Sequence, residues 1–361
     1  MKVRNVESAR LGVLCIALIW LCVVLPLSLA AAPYAAMVMD ARSGKVLHSE
    51  NANTRLHPAS LTKMMTLYVT FEAVQNGEIS MDTVVTISRK AASEPPSKLG
   101  LRAGQKIKLR YLVRAAAVKS ANDAATAIGE AISGSEAAFA LRMNRTAKSM
   151  GMTRTTFKNA HGLTEDGHLS TARDMTILGR HVIYDFPMYY NLFSRKTADA
   201  GVRNVSHTNS RLLSAYKGAD GIKTGYTRAA GFNLVASAER GRERVIATVF
   251  GGRSTTTRNA RVAELLDLGF NRAPTRVALN KPRRPQYRGN QGLVTGGNDV
   301  AVASLGNGAR PARPLPSSSP WCAACGPGRG PARRSRSPRR PSSPRSRRGW
   351  PTRLPKPPRP R

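Results

Sequence analysis

Strand-like apolar runs lie at the two ends of this chain, and helical periodicity lies between them. Ala35–Asp40 and Val46–Ser49 flank the turn residues Asp40-Ala41-Arg42-Ser43-Gly44, which predicts a hairpin. Gly221–Gly225, Phe232–Ala238 and Val245–Phe250 are also strand-like, with a turn at Glu239–Glu243 between the last two. In the middle, Leu61, Met64, Leu67, Tyr68 and Phe71 recur at three- and four-residue steps. That spacing predicts a helix from about Ser60 to Val74 with one buried stripe. Arg110–Ile132 predicts two helices around a polar break at Ser120–Asp123, and Glu136–Ser149 predicts another. Asn259–Leu268 ends the pattern as an amphipathic helix bearing Val262, Leu265 and Leu266. No internal repeat is present. The order predicts an α+β fold, an antiparallel sheet assembled from both ends of the domain and flanked by helices, with a helical lobe inserted between.

The flanks differ from this body. Lys2, Arg4 and Arg10 precede an apolar run from Leu11 to Leu29 that ends in small residues and Pro33, the layout of a secretory signal peptide. An apolar run of that length also suits a membrane anchor, but the small-residue end favours cleavage. The expected organisation is a signal peptide over 1–32, a folded domain over 33–275 and a disordered low-complexity tail over 276–361. The expected location is outside the cytoplasm, in a periplasm or on the outer face of the membrane.

Charge sharpens the division. The 361 residues hold 57 Lys+Arg against 21 Asp+Glu, a net +36, which taken alone suggests nucleic acid. Yet residues 281–361 contain 19 basic side chains, one acid and 16 of the 23 prolines. Half the excess thus belongs to a segment too poor in apolar residues to build a core. Residues 23–321 contain no cysteine, which excludes a disulfide framework, a thiolate nucleophile and a cysteine zinc site there. Cys322 and Cys325 have C-x-x-C spacing, but one pair among Ser, Pro and Gly makes neither a redox site nor a four-ligand zinc site.

Three short motifs stand in order: Ser60-Leu61-Thr62-Lys63, Ser120-Ala121-Asn122 and Lys223-Thr224-Gly225. A serine hydroxyl is a poor nucleophile until a nearby base takes its proton. A lysine is such a base when desolvation and neighbouring cations lower its pKa. A second serine and lysine can pass the proton to a leaving nitrogen, and a strand edge can pair with an extended substrate and donate an N–H to an oxyanion. Ser60 and Lys63 share a helix face at three-residue spacing, with Pro58 just ahead of the helix start. Ser214-Ala215-Tyr216-Lys217 has the same spacing and is expected to be a solvated turn.

The three motifs together are those of penicillin-binding proteins and class A β-lactamases. From Ala35 to Arg272 the chain resembles the low-molecular-mass penicillin-binding proteins that act as D-alanyl-D-alanine carboxypeptidases. His57-Pro-Ala-Ser-Leu-Thr-Lys-Met-Met-Thr, His161-Gly-Leu and Asp220-Gly-Ile-Lys-Thr-Gly-Tyr-Thr contribute to that resemblance. It implies a serine β-lactamase-like fold without cofactor or metal. It also implies that Ser60 attacks the penultimate D-alanine carbonyl, that Lys63 is the base, and that Ser120 and Lys223 relay the proton. Asn122 would hold the peptide amide, and Thr224 with Arg258 the terminal carboxylate. Backbone N–H groups of Ser60 and Tyr226, the latter following Gly225, would form the oxyanion hole. His168 is a candidate for assisting deacylation, while Asp174, Arg173 and Glu165 are expected to hold their loop by charge pairs. The implied partners are a peptidoglycan pentapeptide stem, β-lactams as acylating inhibitors and the membrane surface, and not nucleic acid.

Three other readings remain at this point. A class A β-lactamase needs a loop glutamate in an E-x-x-L-N context, and Glu165 is followed by Asp-Gly-His-Leu instead. An endopeptidase cutting D-alanine cross-links would use the same motifs. A non-enzymatic binder of wall polymer would use the basic charge alone.

Overall fold

The computed structural model describes residues 33–293 and, ahead of them, Val13 alone. The rest of the expected leader, the Cys322–Cys325 pair and residues 294–361 of the expected tail lie outside the described residues. Among the described residues no helix is long and apolar enough to cross a membrane.

The chain opens with the expected hairpin of β1 (Ala35–Asp40) and β2 (Val46–Glu50), and a 3-10 turn over Ala59–Thr62 runs into α1 (Lys63–Gln75). β3 (Val84–Thr86) and β4 (Lys106–Lys108) pair with each other, with α2 (Arg89–Ser93) between them in sequence. α3 (Leu109–Arg114) passes through a π-helical turn over Ala115–Lys119, and α4 (Asn122–Ser133) and α5 (Glu136–Ser149) follow. Next come α6 (Ala172–Asp185), the short α7 (Pro187–Tyr190), the pair β5 (Thr197–Asp199) and β6 (Asn204–Ser206), and α8 (Ser210–Ala215). β7 (Ala219–Thr227), β8 (Gly231–Arg240), β9 (Glu243–Gly252) and α9 (Thr255–Arg272) complete the domain.

The main sheet has the order β2-β1-β9-β8-β7, and every neighbouring pair is antiparallel. Strands from the two ends of the domain therefore join through β1 and β9, as the pattern predicts. Alternate side chains serve opposite faces. Ala36, Val38, Leu234, Ala236 and Val249 pack with Val262, Leu265 and Leu266 of α9, whereas Met37, Ile222, Val235 and Phe250 belong to the core shared with the helical lobe. Burying each large apolar side chain of α9 contributes about 1.5–3 kcal/mol. A capping box between Ser254 and Thr257 starts that helix.

Two expectations need correction. α1 has no single apolar stripe: every residue from Lys63 to Ala73 is buried, so the helix is enclosed on all sides. The expected domain boundary at residue 275 also lies too early. Residues 274–293 form a strap along the domain. The Asn280 N–H donates to the Arg42 carbonyl at 2.9 Å, the Tyr287 hydroxyl to Glu78 at 2.6 Å, and the Asn290 amide to the Ile132 carbonyl at 2.8 Å.

Candidate active site

The enclosure of α1 has a direct consequence for the lysine at its first turn. Lys63 is fully buried. Its Nζ lies 3.1 Å from Ser60 Oγ, 2.7 Å from Asn122 Oδ1 and 2.7 Å from the His161 carbonyl oxygen. No carboxylate among the described residues touches it. Burial, and next the charge of Lys223, push its pKa well below the ordinary lysine value. A neutral amine has two hydrogens and one lone pair. The Asn122 and His161 oxygens can only accept, so they take the two hydrogens and leave the lone pair aimed at Ser60 Oγ. The Asn122 amide is fixed in this sense because its Nδ2 donates to the Pro95 carbonyl at 2.9 Å.

Ser60 sits in the 3-10 turn, where Ala59 has φ of +50°. Two glycines let the chain close around that turn. A Cβ on Gly162 would lie 1.9 Å from the Ala59 carbonyl oxygen, and one on Gly225 would lie 3.1 Å from the Ser60 nitrogen and 2.8 Å from the Pro58 oxygen. Gly225 belongs to β7, an edge strand of the sheet, so a backbone edge runs directly beside Ser60.

Ser120 ends the π-helical turn in a left-handed conformation, φ +65° and ψ +36°. Such a backbone costs a non-glycine residue about 1–3 kcal/mol and persists only where the surroundings enforce it. Here the Ala121 N–H closes onto the Ala115 carbonyl, and the Asn122 N–H onto that of Ser97 at 2.7 Å. Asp123 then accepts from the N–H groups of Leu99, Gly100 and Leu101, which holds the Ser97 loop against α4.

Lys223, also fully buried, has its pKa pushed down to about 7 by burial and by Arg258. Arg258 itself is brought down to about 10 by burial; its guanidinium donates to Asn259 Oδ1 and to the Asn233 carbonyl rather than to a carboxylate. Thr224 Oγ1 donates to Thr208 Oγ1 at 2.8 Å. A cleft of about 330 Å³ is lined by Ser60, Ser120, Asn122, Thr224, Gly225, Tyr226 and Arg258, together with Ser97, Thr208 and Phe232. The structure thus opens Ser60, Ser120 and Arg258 onto one cleft, with Lys63 buried behind Ser60 and Asn122, and Lys223 buried beside Thr224. Tyr226 is exposed at the rim, 4.3 Å from the Phe232 ring.

The structure places His168 elsewhere. It is buried, does not line the cleft, and has both ring nitrogens in use. Nδ1 accepts from the Lys158 N–H at 3.1 Å, so Nε2 carries the proton toward Thr62 Oγ1 at 2.9 Å. Burial and neighbouring cationic groups lower its pKa to about 3, which keeps the ring neutral. Its contact is with the turn that holds Ser60, not with the opening. Asp174, Arg173 and Glu165 do hold local structure, but through neutral partners rather than charge pairs. Asp174 accepts from Arg154 N and Thr155 Oγ1, Arg173 donates to Asn53 Oδ1, and Glu165 accepts from Asn159 Nδ2. Ser214 and Lys217, the second pair with this spacing, are exposed.

Two groups escaped the sequence reading. Thr208 is a single threonine in a loop and carries no pattern. The His161 ring lies 3.5 Å from Glu94 and 3.4 Å from Glu136, both buried, and its Nδ1 accepts from the Leu163 N–H at 3.1 Å. This cluster fixes the residue whose carbonyl holds Lys63. Only the His161-Gly-Leu stretch hinted at it.

A family model described as D-alanyl-D-alanine carboxypeptidase matches residues 26–254. The chain is 40% identical over 261 residues to D-alanyl-D-alanine carboxypeptidase DacF of Bacillus subtilis, covering 71% of this chain and 64% of that protein. It is 39% identical over 241 residues to DacA of Escherichia coli, covering 65% of this chain and 60% of that one. The match thus spans less than two thirds of those curated relatives. Among solved structures, penicillin binding protein 5 of Haemophilus influenzae superposes with a TM-score of 0.64 at 36% identity, over 69% of this chain and 73% of that one. Penicillin-Binding Protein D2 of Listeria monocytogenes in its ampicillin-bound form gives 0.60 at 34% identity, over 66% and 97%.

Proposed function

Since the chain belongs to the D-alanyl-D-alanine carboxypeptidase family, we propose that it removes the terminal D-alanine from peptidoglycan pentapeptide stems through an acyl-enzyme on Ser60. The observation behind this reading is the Ser60 Oγ–Lys63 Nζ distance of 3.1 Å at a lysine whose pKa burial lowers.

The reaction runs as follows. Ser60 Oγ attacks the carbonyl carbon of the penultimate D-alanine while its proton passes to the neutral Lys63 amine. The carbonyl oxygen becomes an oxyanion beside the Ser60 and Tyr226 N–H groups on the β7 edge. A proton then moves through Ser120 and Lys223 to the amide nitrogen, the C–N bond breaks, and D-alanine leaves. Arg258 and Thr224 receive its carboxylate at the cationic end of the cleft. Water enters, loses a proton to Lys63, and hydrolyses the ester, returning the proton to Ser60. A β-lactam offers the same carboxylate and a strained amide, so it acylates Ser60. The ampicillin-bound relative supports this step. His168 acts by bracing Thr62 beside the nucleophile.

The leader pattern supports a location outside the cytoplasm, with the outer face of the cytoplasmic membrane as a candidate neighbour. A class A β-lactamase mechanism is disfavoured by Glu165, which is tied to Asn159 and does not line the cleft. Incubation with a synthetic pentapeptide stem and mass analysis of the products tests the proposal. Loss of one D-alanine by the wild type and no loss by Ser60→Ala are expected. Cleavage only of cross-linked dimers would favour the endopeptidase, and trimming by Ser60→Ala would sink the mechanism.

A further inference from the structure

A second opening lies away from the cleft at Ser60. A cavity of about 940 Å³ lies where α5, α6 and the strap meet, and it shares no residue with that cleft. Six arginines and one lysine line it: Arg145 and Lys148 from α5, Arg173 and Arg180 from α6, and Arg283, Arg284 and Arg288 from the strap. No carboxylate among the described residues lines it.

These cations are held without being neutralised. Arg145 donates to the carbonyls of Gly289 and Gln291, Arg180 to the carbonyls of Ala41 and Arg42, and Arg173 to an amide oxygen. Such oxygens satisfy the N–H groups and leave the charge in place. The carboxylates that Arg180 and Arg284 sense are already engaged. Asp40 pairs with Arg42 at 3.0 Å, Asp185 with His181 at 2.8 Å, and Glu72 faces Arg142 at 3.7 Å. Burial, and next the charges of Arg142 and Arg288, lower the pKa of Arg145.

From this geometry we infer a second binding site, for a phosphodiester-linked polyanion that enters the cavity between α5, α6 and the strap. Guanidinium forks match phosphate oxygens in pairs, which suits a site built mainly from arginine. The charges line a concavity drawn from three elements, which admits a chain with successive phosphates and suits a planar bilayer poorly. The site is independent of the Ser60 chemistry.

Fluorescence anisotropy with a dye-labelled glycerol phosphate oligomer tests this on the full chain. The variant Lys148→Gln/Arg283→Gln/Arg288→Gln removes three exposed cavity cations. The control Lys106→Gln/Arg211→Gln/Lys217→Gln removes three exposed cations elsewhere. Wild type should bind with steep salt dependence. The cavity variant should bind about tenfold more weakly, with a log–log salt slope shallower by about 2–3, while the control stays close to wild type. Unchanged melting and unchanged penicillin labelling would show the fold intact. Equal weakening by both variants would overturn the site, leaving only diffuse charge. Binding to phosphatidylglycerol vesicles but not to the oligomer, or full competition by inorganic phosphate at equal phosphate concentration, would overturn the polymer as its ligand.

Discussion

Lys63 lies three residues after Ser60, and Lys217 lies three residues after Ser214. Lys63 is fully buried, whereas Ser214 and Lys217 are exposed. Spacing made both pairs candidates, and burial distinguishes them. The residue types of the site were legible since each has a side chain with a chemical job. The His161 carbonyl was not, because every residue has one and only the fold decides which reaches Lys63. The resemblance made His168 a candidate for deacylation, yet its ring faces Thr62 and the Lys158 N–H. The sign of the pH effect follows from Lys63. Protonated amine cannot accept the serine proton, and the neutral fraction grows with pH, so acylation should accelerate as pH rises. Its midpoint should fall well below the ordinary 10.5. Labelling rates with a fluorescent penicillin from about pH 6 to 10 would check this. A midpoint at the ordinary lysine value would contradict the buried-base account.

Among the elements, those flanking the motifs were the most legible. Turn residues and apolar spacing placed β1, β2, α5 and the three C-terminal strands. α1 was found but misjudged as amphipathic, because a helix enclosed on every side still shows three- and four-residue steps among its largest side chains. The small pairs β3–β4 and β5–β6, three residues per strand, are too short for alternation to register. What aligns these elements at the site is close backbone approach. Gly162 touches the turn bearing Ser60 with no room for a methyl group. Gly162→Ala must displace Ala59 by a substantial fraction of an ångström or more, and misplacement of that order costs about 100-fold in rate. The second-order rate of penicillin labelling, read beside the melting curve, should show that loss. An unchanged rate would mean that the turn tolerates movement.

At the scale of the whole molecule, the strap ties the end of α9 to the helical lobe through Arg142. This guanidinium is fully buried, 2.8 Å from Glu78 and 3.7 Å from Glu72, and Tyr287 stacks its ring on the same group. Arg142→Ala would strand those carboxylates and should cost about 3–5 kcal/mol in urea unfolding. Tyr287→Phe, which loses only its hydrogen bond to Glu78, should cost about 1 kcal/mol. Equal costs would show that the arginine is not the tie. The strap was hidden in the sequence because its Pro- and Arg-rich composition matches that of the tail beyond it. The net charge of +36 likewise divides between that tail and a domain that directs several of its cations into two openings. The central claim concerns only one of those openings. It is tested most directly by the intact mass of the chain after benzylpenicillin treatment, followed by peptide mapping. One covalent penicilloyl adduct on Ser60, absent from Ser60→Ala, is predicted. An adduct on any other residue, or none while pentapeptide is still trimmed, would contradict it.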